Sequence, residues 1–151
     1  MSKWPGRSKG RLTTFGRLKR SELMARIRSQ SNASTELRMA SLLRQVSMSG
    51  WRRHLPLAGH PDFAWPKQRV ALFVDGCFWH GHYCGRNMTP RSNARLWREK
   101  ILRNRRRDRR VARGLRAEGW AVMRIWECAL GDRPTACLGR LRRVLSYSSS
   151  R

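Results

Sequence analysis

The sequence predicts a mixed α/β domain with one central sheet flanked by helices. Three observations predict it. Apolar spacing along the chain passes from helical to strand-like and back, in the order helix, hairpin, long helix, strand, helix. Breakers at Gly50, Gly59-His60-Pro61, Gly76 and Gly119 separate those segments. The length, 151 residues, suits one domain whose core buries roughly two-thirds of the unfolded surface.

The elements follow in order. Residues 1–20 carry Lys3, Arg7, Lys9, Arg11, Arg17, Lys19 and Arg20 with no acid, and read as a flexible basic arm. Ser21 caps a short helix that places Leu23, Met24 and Ile27 on one face. Ser34 or Thr35 opens a second helix with Leu37, Ala40, Leu43 and Val46 inward, and Glu36 lies in its first turn, where an acid also suits the helix dipole. Trp51 to Leu57 alternates weakly. Asp62–Trp65 and the apolar run Arg69–Asp75 form a hairpin that closes near Lys67-Gln68-Arg69, a register that sets Asp62 opposite Asp75.

From a cap at Ser92, a long helix runs to Glu118 and stops at Gly119. Its inward stripe is Trp97, Ile101, Asn104, Asp108, Val111 and Leu115, with two polar interruptions. Eleven Lys and Arg between Arg91 and Arg113 against two acids, Glu99 and Asp108, make the opposite face a positive ridge. Trp120–Trp126 is a strand that delivers Cys128 to its end, and Thr135–Leu145 is a last helix. The domain therefore spans residues 21–146, with a Ser-rich tail at 147–151.

Charge bounds the partner. Thirty-four Lys and Arg against nine Asp and Glu give +25, and only five of the 34 are Lys. Arginine's planar fork suits phosphate and guanine, so the expected partner is nucleic acid. A membrane is not expected, because no apolar run reaches the roughly 18 residues of a spanning helix. No apolar signal segment follows the basic N-terminus, so four cysteines in a reducing cytosol point to metal rather than disulfides.

The segment from Phe73 to Cys84 concentrates the chemistry. Cys77, His82 and Cys84 have the spacing Cys-x4-His-x-Cys, and Cys128 is the candidate for a fourth ligand of a closed, structural zinc site. Cys137, between Ala136 and Leu138, reads as a core thiol. Asp62 and Asp75 offer hard oxygen ligands for magnesium, which would activate water for phosphodiester cleavage; solvated turn carboxylates are the plainer reading. His80 is a free imidazole on a loop pinned at both sides, fit to act as general base, or else a merely exposed histidine. Phe78 and Trp79, with Trp97 from the long helix, are either core rings or wedges for a base step.

These residues resemble the very short patch repair (Vsr) DNA mismatch endonucleases, zinc-containing relatives of the PD-(D/E)XK restriction-endonuclease-like fold. The resemblance runs from Arg20 to Leu130. It rests on Arg20-Ser21 with Met24 and Ile27, Glu36 before Ala40-Ser41-Leu42-Leu43, Pro61-Asp62-Phe63, Gly76-Cys77-Phe78-Trp79-His80, His82 and Cys84. Further along it includes Trp97 with Glu99-Lys100-Ile101, Asn104 with Asp108-Arg109-Arg110, Gly119-Trp120, and Trp126-Glu127-Cys128-Ala129-Leu130.

The resemblance implies a nick 5′ of the thymine in T:G mismatches left by deamination of 5-methylcytosine. By position, Asp62 holds Mg2+, His80 assists the attacking water and Glu36 supports the site. Phe78, Trp79 and Trp97 intercalate, and Cys77, His82, Cys84 and Cys128 bind structural Zn2+. It also implies a bacterial cytoplasmic, nucleoid-associated monomer whose partners are double-stranded DNA and mismatch-repair proteins. Two features depart from the family. Val74-Asp75 stands where the best-known members have Thr-His, so Asp75 restores the superfamily's second carboxylate, and Cys77 fills the superfamily's lysine position. The interval from Ile27 to Glu36 is one residue longer than usual. A nuclease of the same fold with a different target, and a non-catalytic zinc-stabilised DNA-binding protein, are the rival readings.

Overall fold

The computed structural model describes residues 35–85 and 93–149. Helix α1 covers residues 35–45 and is followed by β1 (Phe63–Trp65), β2 (Val70–Asp75), α2 (Ala94–Ala117), β3 (Ala121–Trp126), α3 (Glu127–Asp132) and α4 (Pro134–Ser149). The strands form one mixed sheet in the order β1-β2-β3, antiparallel between β1 and β2 and parallel between β2 and β3. A parallel pair needs a crossover, and α2 supplies it.

All six residues of β2 are buried, because helices cover both faces of the sheet. Val70, Leu72 and Val74 pack with Met39 and Leu43 of α1, Met123 and Ile125 of β3, Leu130 of α3 and Leu141 of α4. Ala71 and Phe73, on the alternate face, pack against Leu115 of α2. Cys137 lies against the larger cluster, as a core thiol should, and burial raises its pKa. The end of α2 shows why Gly119 is there. Its φ of +83° suits a residue without Cβ, and Gly119 N and Trp120 N donate to Arg116 O and Leu115 O to close the helix.

Four expectations need correction. Leu37 is 61% exposed and Met39 takes the inward position, since residues 39 and 43 define the buried stripe of α1 and Leu37 lies about 200° around the helix from Met39. The hairpin register sets Phe63 opposite Leu72 and Trp65 opposite Val70, two positions from the one expected. Its turn spans Pro66–Arg69, with Arg69 at φ +52°, so the hairpin closes one residue early and Asp62 approaches Val74 rather than facing Asp75 across the ladder. The long helix starts at Ala94 after Asn93, and α4 runs to Ser149. Ser146 accommodates the helix by donating its hydroxyl to Arg143 O at 3.0 Å.

The basic arm, the helix expected at Ser21 and the cap at Ser92 lie outside the described residues. Among those described, no helix is long and apolar enough to cross a membrane.

Candidate active site and metal centre

Asp62, Asp75, His80, Asp108 and Arg124 line one cavity of about 160 Å3. Each comes from a different place in the fold. Asp62 immediately precedes β1, Asp75 ends β2, His80 lies in the loop beyond it, Asp108 projects from α2 and Arg124 from β3. Val74 N donates to Asp62 Oδ2 at 2.6 Å, which fixes that carboxylate against the central strand. Burial pushes the Asp62 carboxyl up to about 7, helped by the charges of Glu36 and Asp75 and opposed by the Val74 N–H. Glu36, on the first turn of α1, is ion-paired with Arg53.

Arg124 bonds Asp75 and lies 3.6 Å from Asp108. His80 sits between the same two acids, with Nδ1 at 2.5 Å from Asp108 Oδ2 and Nε2 at 3.6 Å from Asp75 Oδ1. Burial alone would raise the Asp108 carboxyl. The hydrogen bond and charge of His80, with Arg124 and Arg107, hold it below its ordinary value.

Beside this pocket, the ligand atoms of Cys77, His82, Cys84 and Cys128 all lie within 4.8 Å of one another, a set that could hold a metal ion. Three come from the loop after β2 and the fourth from the first turn of α3, so a shared ion would tie those segments together. Cys128 N donates to Cys77 Sγ at 3.4 Å, and the His82 ring stacks on Trp126 with centroids 4.4 Å apart. Without an ion, burial and the neighbouring Cys128 and Cys84 push the Cys77 thiol up to about 12; the Cys128 N–H opposes them. Thiolate ligation would reverse that cost.

The aromatic trio packs on itself. Ring centroids are 5.0 Å apart for Phe78–Trp79, 5.3 Å for Phe78–Trp97 and 5.8 Å for Trp79–Trp97. Trp79 and Trp97 are buried and Phe78 is half-buried, while Lys100 Nζ lies over both indoles. The rings form a supported cluster and do not stand free.

Residues 13–86 match the family model described as DNA mismatch endonuclease Vsr. The chain is 41% identical over 130 residues to the type II nicking enzyme V.XorIIP of Xanthomonas oryzae pv. oryzae, covering 86% of this chain and 94% of the relative. It is 40% identical over 114 residues to the DNA mismatch endonuclease Vsr of Escherichia coli K12, covering 76% and 72% respectively. With the type II nicking enzyme V.NmeDIP of Neisseria meningitidis serogroup C it shares 36% over 121 residues, 77% of this chain and 82% of that one. The chain belongs to the Vsr family. It is a DNA endonuclease.

In this Vsr-family chain the fold brings Asp62, Asp75 and His80 to one cavity, places Glu36 close enough to perturb Asp62, and gathers Cys77, His82, Cys84 and Cys128 beside them. Sequence reasoning missed the contributions of Asp108, Asn104 and Arg124. Asp108 and Asn104 appeared as polar breaks in the inward stripe of α2 and as matched positions of the family resemblance with no role attached, yet Asp108 bonds His80 and Asn104 Nδ2 donates to Trp79 O at 2.9 Å. A polar residue at a core-facing helix position needs a partner, and that was the available signal. Arg124, a lone charge inside an apolar strand, carried a similar one.

Proposed function

We propose that this chain nicks one strand of double-stranded DNA 5′ of the thymine in a T:G mismatch, by magnesium-dependent hydrolysis, in very short patch repair of deaminated 5-methylcytosine. The observation that carries this reading is the convergence of Asp62, Asp75 and His80 on one cavity next to a Cys/His set of four. The names of the relatives, a DNA mismatch endonuclease and nicking enzymes, support both the mismatch and the single-strand cut.

Asp62 and Asp75 would hold the magnesium, since hard carboxylate oxygens match that ion. When bound, the ion supplies positive charge for the phosphoryl and leaving oxygens. His80 is the general base. Its Nδ1–H donates to Asp108, which selects the tautomer and leaves Nε2 on the Asp75 side to accept a proton from the attacking water. Glu36, held by Arg53, supports Asp62 by adding negative charge, which raises that carboxyl's affinity for a proton and, by the same attraction, for a divalent cation. Cys77, His82, Cys84 and Cys128 hold zinc; four protein ligands leave no open position, so that ion is structural.

Phe78, Trp79 and Trp97 form the wedge. With the two indoles buried against each other, Phe78 presents the leading edge, and their mutual packing stiffens it for entry beside the mismatch. Acting on one strand, the enzyme needs a single copy.

The test is incubation of the purified protein and magnesium with matched, T:G-mismatched and cytosine-methylated duplexes, followed by mapping of any nick. Cutting confined to the T:G duplex on the 5′ side of thymine is expected. Cutting of matched DNA alone would assign a different target, and tight binding with no cut in any divalent ion would remove hydrolysis.

A further inference from the structure

A trough of about 830 Å3 opens beside the hydrolytic pocket and shares His80, Asp108 and Arg124 with it. One wall belongs to α2, where Arg105, Arg109, Arg113 and Arg116 line it at helical spacing. All four are exposed, and none is ion-paired among the described residues. Like charges at such spacing repel and weaken a helix, so this face is costly unless a polyanion covers it. The acid within the trough, Asp108, is engaged by His80 and Arg124.

The facing wall is the loop that carries the metal ligands. Tyr83 stands there between His82 and Cys84 and is 92% exposed. An exposed aromatic ring held between two ligand positions is a prepared stacking surface. Arginines along one wall and an aromatic ring on the other match the two parts of a nucleotide, phosphate and base.

We propose that this trough carries the DNA on one side of the scissile phosphate, with backbone phosphates on Arg105, Arg109 and Arg113 and a base or sugar against Tyr83. From Arg105 to Arg116 the helix rises roughly 16 Å, enough to follow about five phosphates of one strand. The walls shared with the hydrolytic pocket place this contact next to the bond to be cut. The placement rests on the hydrolytic reading above; the phosphate and stacking contacts do not.

The experiment measures binding to a matched duplex without magnesium, across a range of salt. For Arg105→Ala/Arg109→Ala/Arg113→Ala, the slope of log affinity against log salt should shrink by about 2.7, or 0.9 for each lost phosphate contact. Tyr83→Ala should weaken binding about tenfold, and Tyr83→Phe should restore it, because stacking needs the ring and not the hydroxyl. Melting temperature and metal content at wild-type levels confirm that each variant is folded, and Tyr83→Leu substitutes for the alanine variant if the loop is disturbed. Shortening the duplex on one side of the mapped nick should weaken the wild type and leave the triple variant unaffected. A wild-type salt slope and flank dependence in the triple variant, or wild-type affinity in Tyr83→Ala, would overturn the proposal. Since no cutting is read in the salt and stacking arms, a failure there leaves hydrolysis untouched, and absence of nicking leaves this surface untouched.

Discussion

Asp62→Asn separates the chemistry of the pocket from its effect on stability. Asparagine keeps an oxygen for the Val74 N–H but cannot ionise. In the wild type, the Asp62 carboxyl is raised from 3.8 to about 7 by burial and by Glu36 and Asp75. A folded-state pKa above the unfolded value means that the folded protein holds the proton more tightly. The resulting stability is fully present below the unfolded value and lost as pH rises through the folded one. At 1.36 kcal/mol per pH unit, the change amounts to about 4 kcal/mol at most. In magnesium-free buffer without chelator, urea unfolding should therefore show the variant gaining on the wild type by up to about 4 kcal/mol between about pH 4 and pH 8. Added magnesium at the upper pH should recover stability in the wild type but not in the variant, whose nicking should be lost. Parallel pH profiles for the two proteins would refute the claim that Asp62 is a desolvated carboxylate awaiting a cation.

Further outcomes follow from the neighbouring residues. Asp108→Asn should slow nicking by about two to four orders of magnitude through loss of the His80 tautomer and orientation. Its stability cost should be present at neutral pH and vanish in acid, because a depressed carboxyl pKa stabilises above the unfolded value and that gain is lost as pH falls through the folded one. Arg124→Gln should cost about 2–3 kcal/mol in urea unfolding by leaving Asp75 and Asp108 without their shared cation. Cys84→Ser should lower zinc content by elemental analysis and lower the melting temperature, and unchanged values of both would refute the structural zinc. Phe78→Ala should reduce discrimination between T:G and matched duplexes in competition binding more than it reduces affinity for matched DNA.

The sheet, the long helix and the Cys/His set were legible because each repeats a local rule. Trp97, Val111 and Leu115 follow helical spacing, β2 is a continuous apolar run of the kind a doubly covered strand requires, and Cys-x4-His-x-Cys is a ligand spacing. The hairpin register was not legible. It depended on Arg69 accepting a left-handed conformation, a choice open to several residues of that turn. The exposure of Leu37 and burial of Met39 depended on the angle at which α1 meets the sheet, which apolar spacing alone leaves free by about one residue. Asp108 and Arg124 were hidden for another reason: their partners lie 28 and 49 residues away, so the network existed only once α2 and β3 had packed.

The two centres are adjacent because one needs the other. His80 belongs to a short loop without a strand or helix to hold it, and ordering such backbone costs roughly 1–2 kcal/mol for each residue fixed. Cys77 and His82 of the Cys/His set bracket it, Asn104 holds the carbonyl of Trp79, and Gly81, at φ +64°, seats the loop so closely on Ile101 that a Cβ would collide. The position of His80 is thereby set from outside the pocket. This matters because burial and the nearby charges of Glu36 and Asp75 disfavour an ionised Asp62, so that carboxylate adds nothing to the ordering of the loop. Stripping any ion held by the Cys/His set should consequently impair hydrolysis even though none of those four residues lines the pocket of Asp62, Asp75 and His80. Asp75 and Glu36 are meanwhile held by Arg124 and Arg53, which leaves Asp62 as the acid whose ionisation the pocket disfavours until a cation arrives.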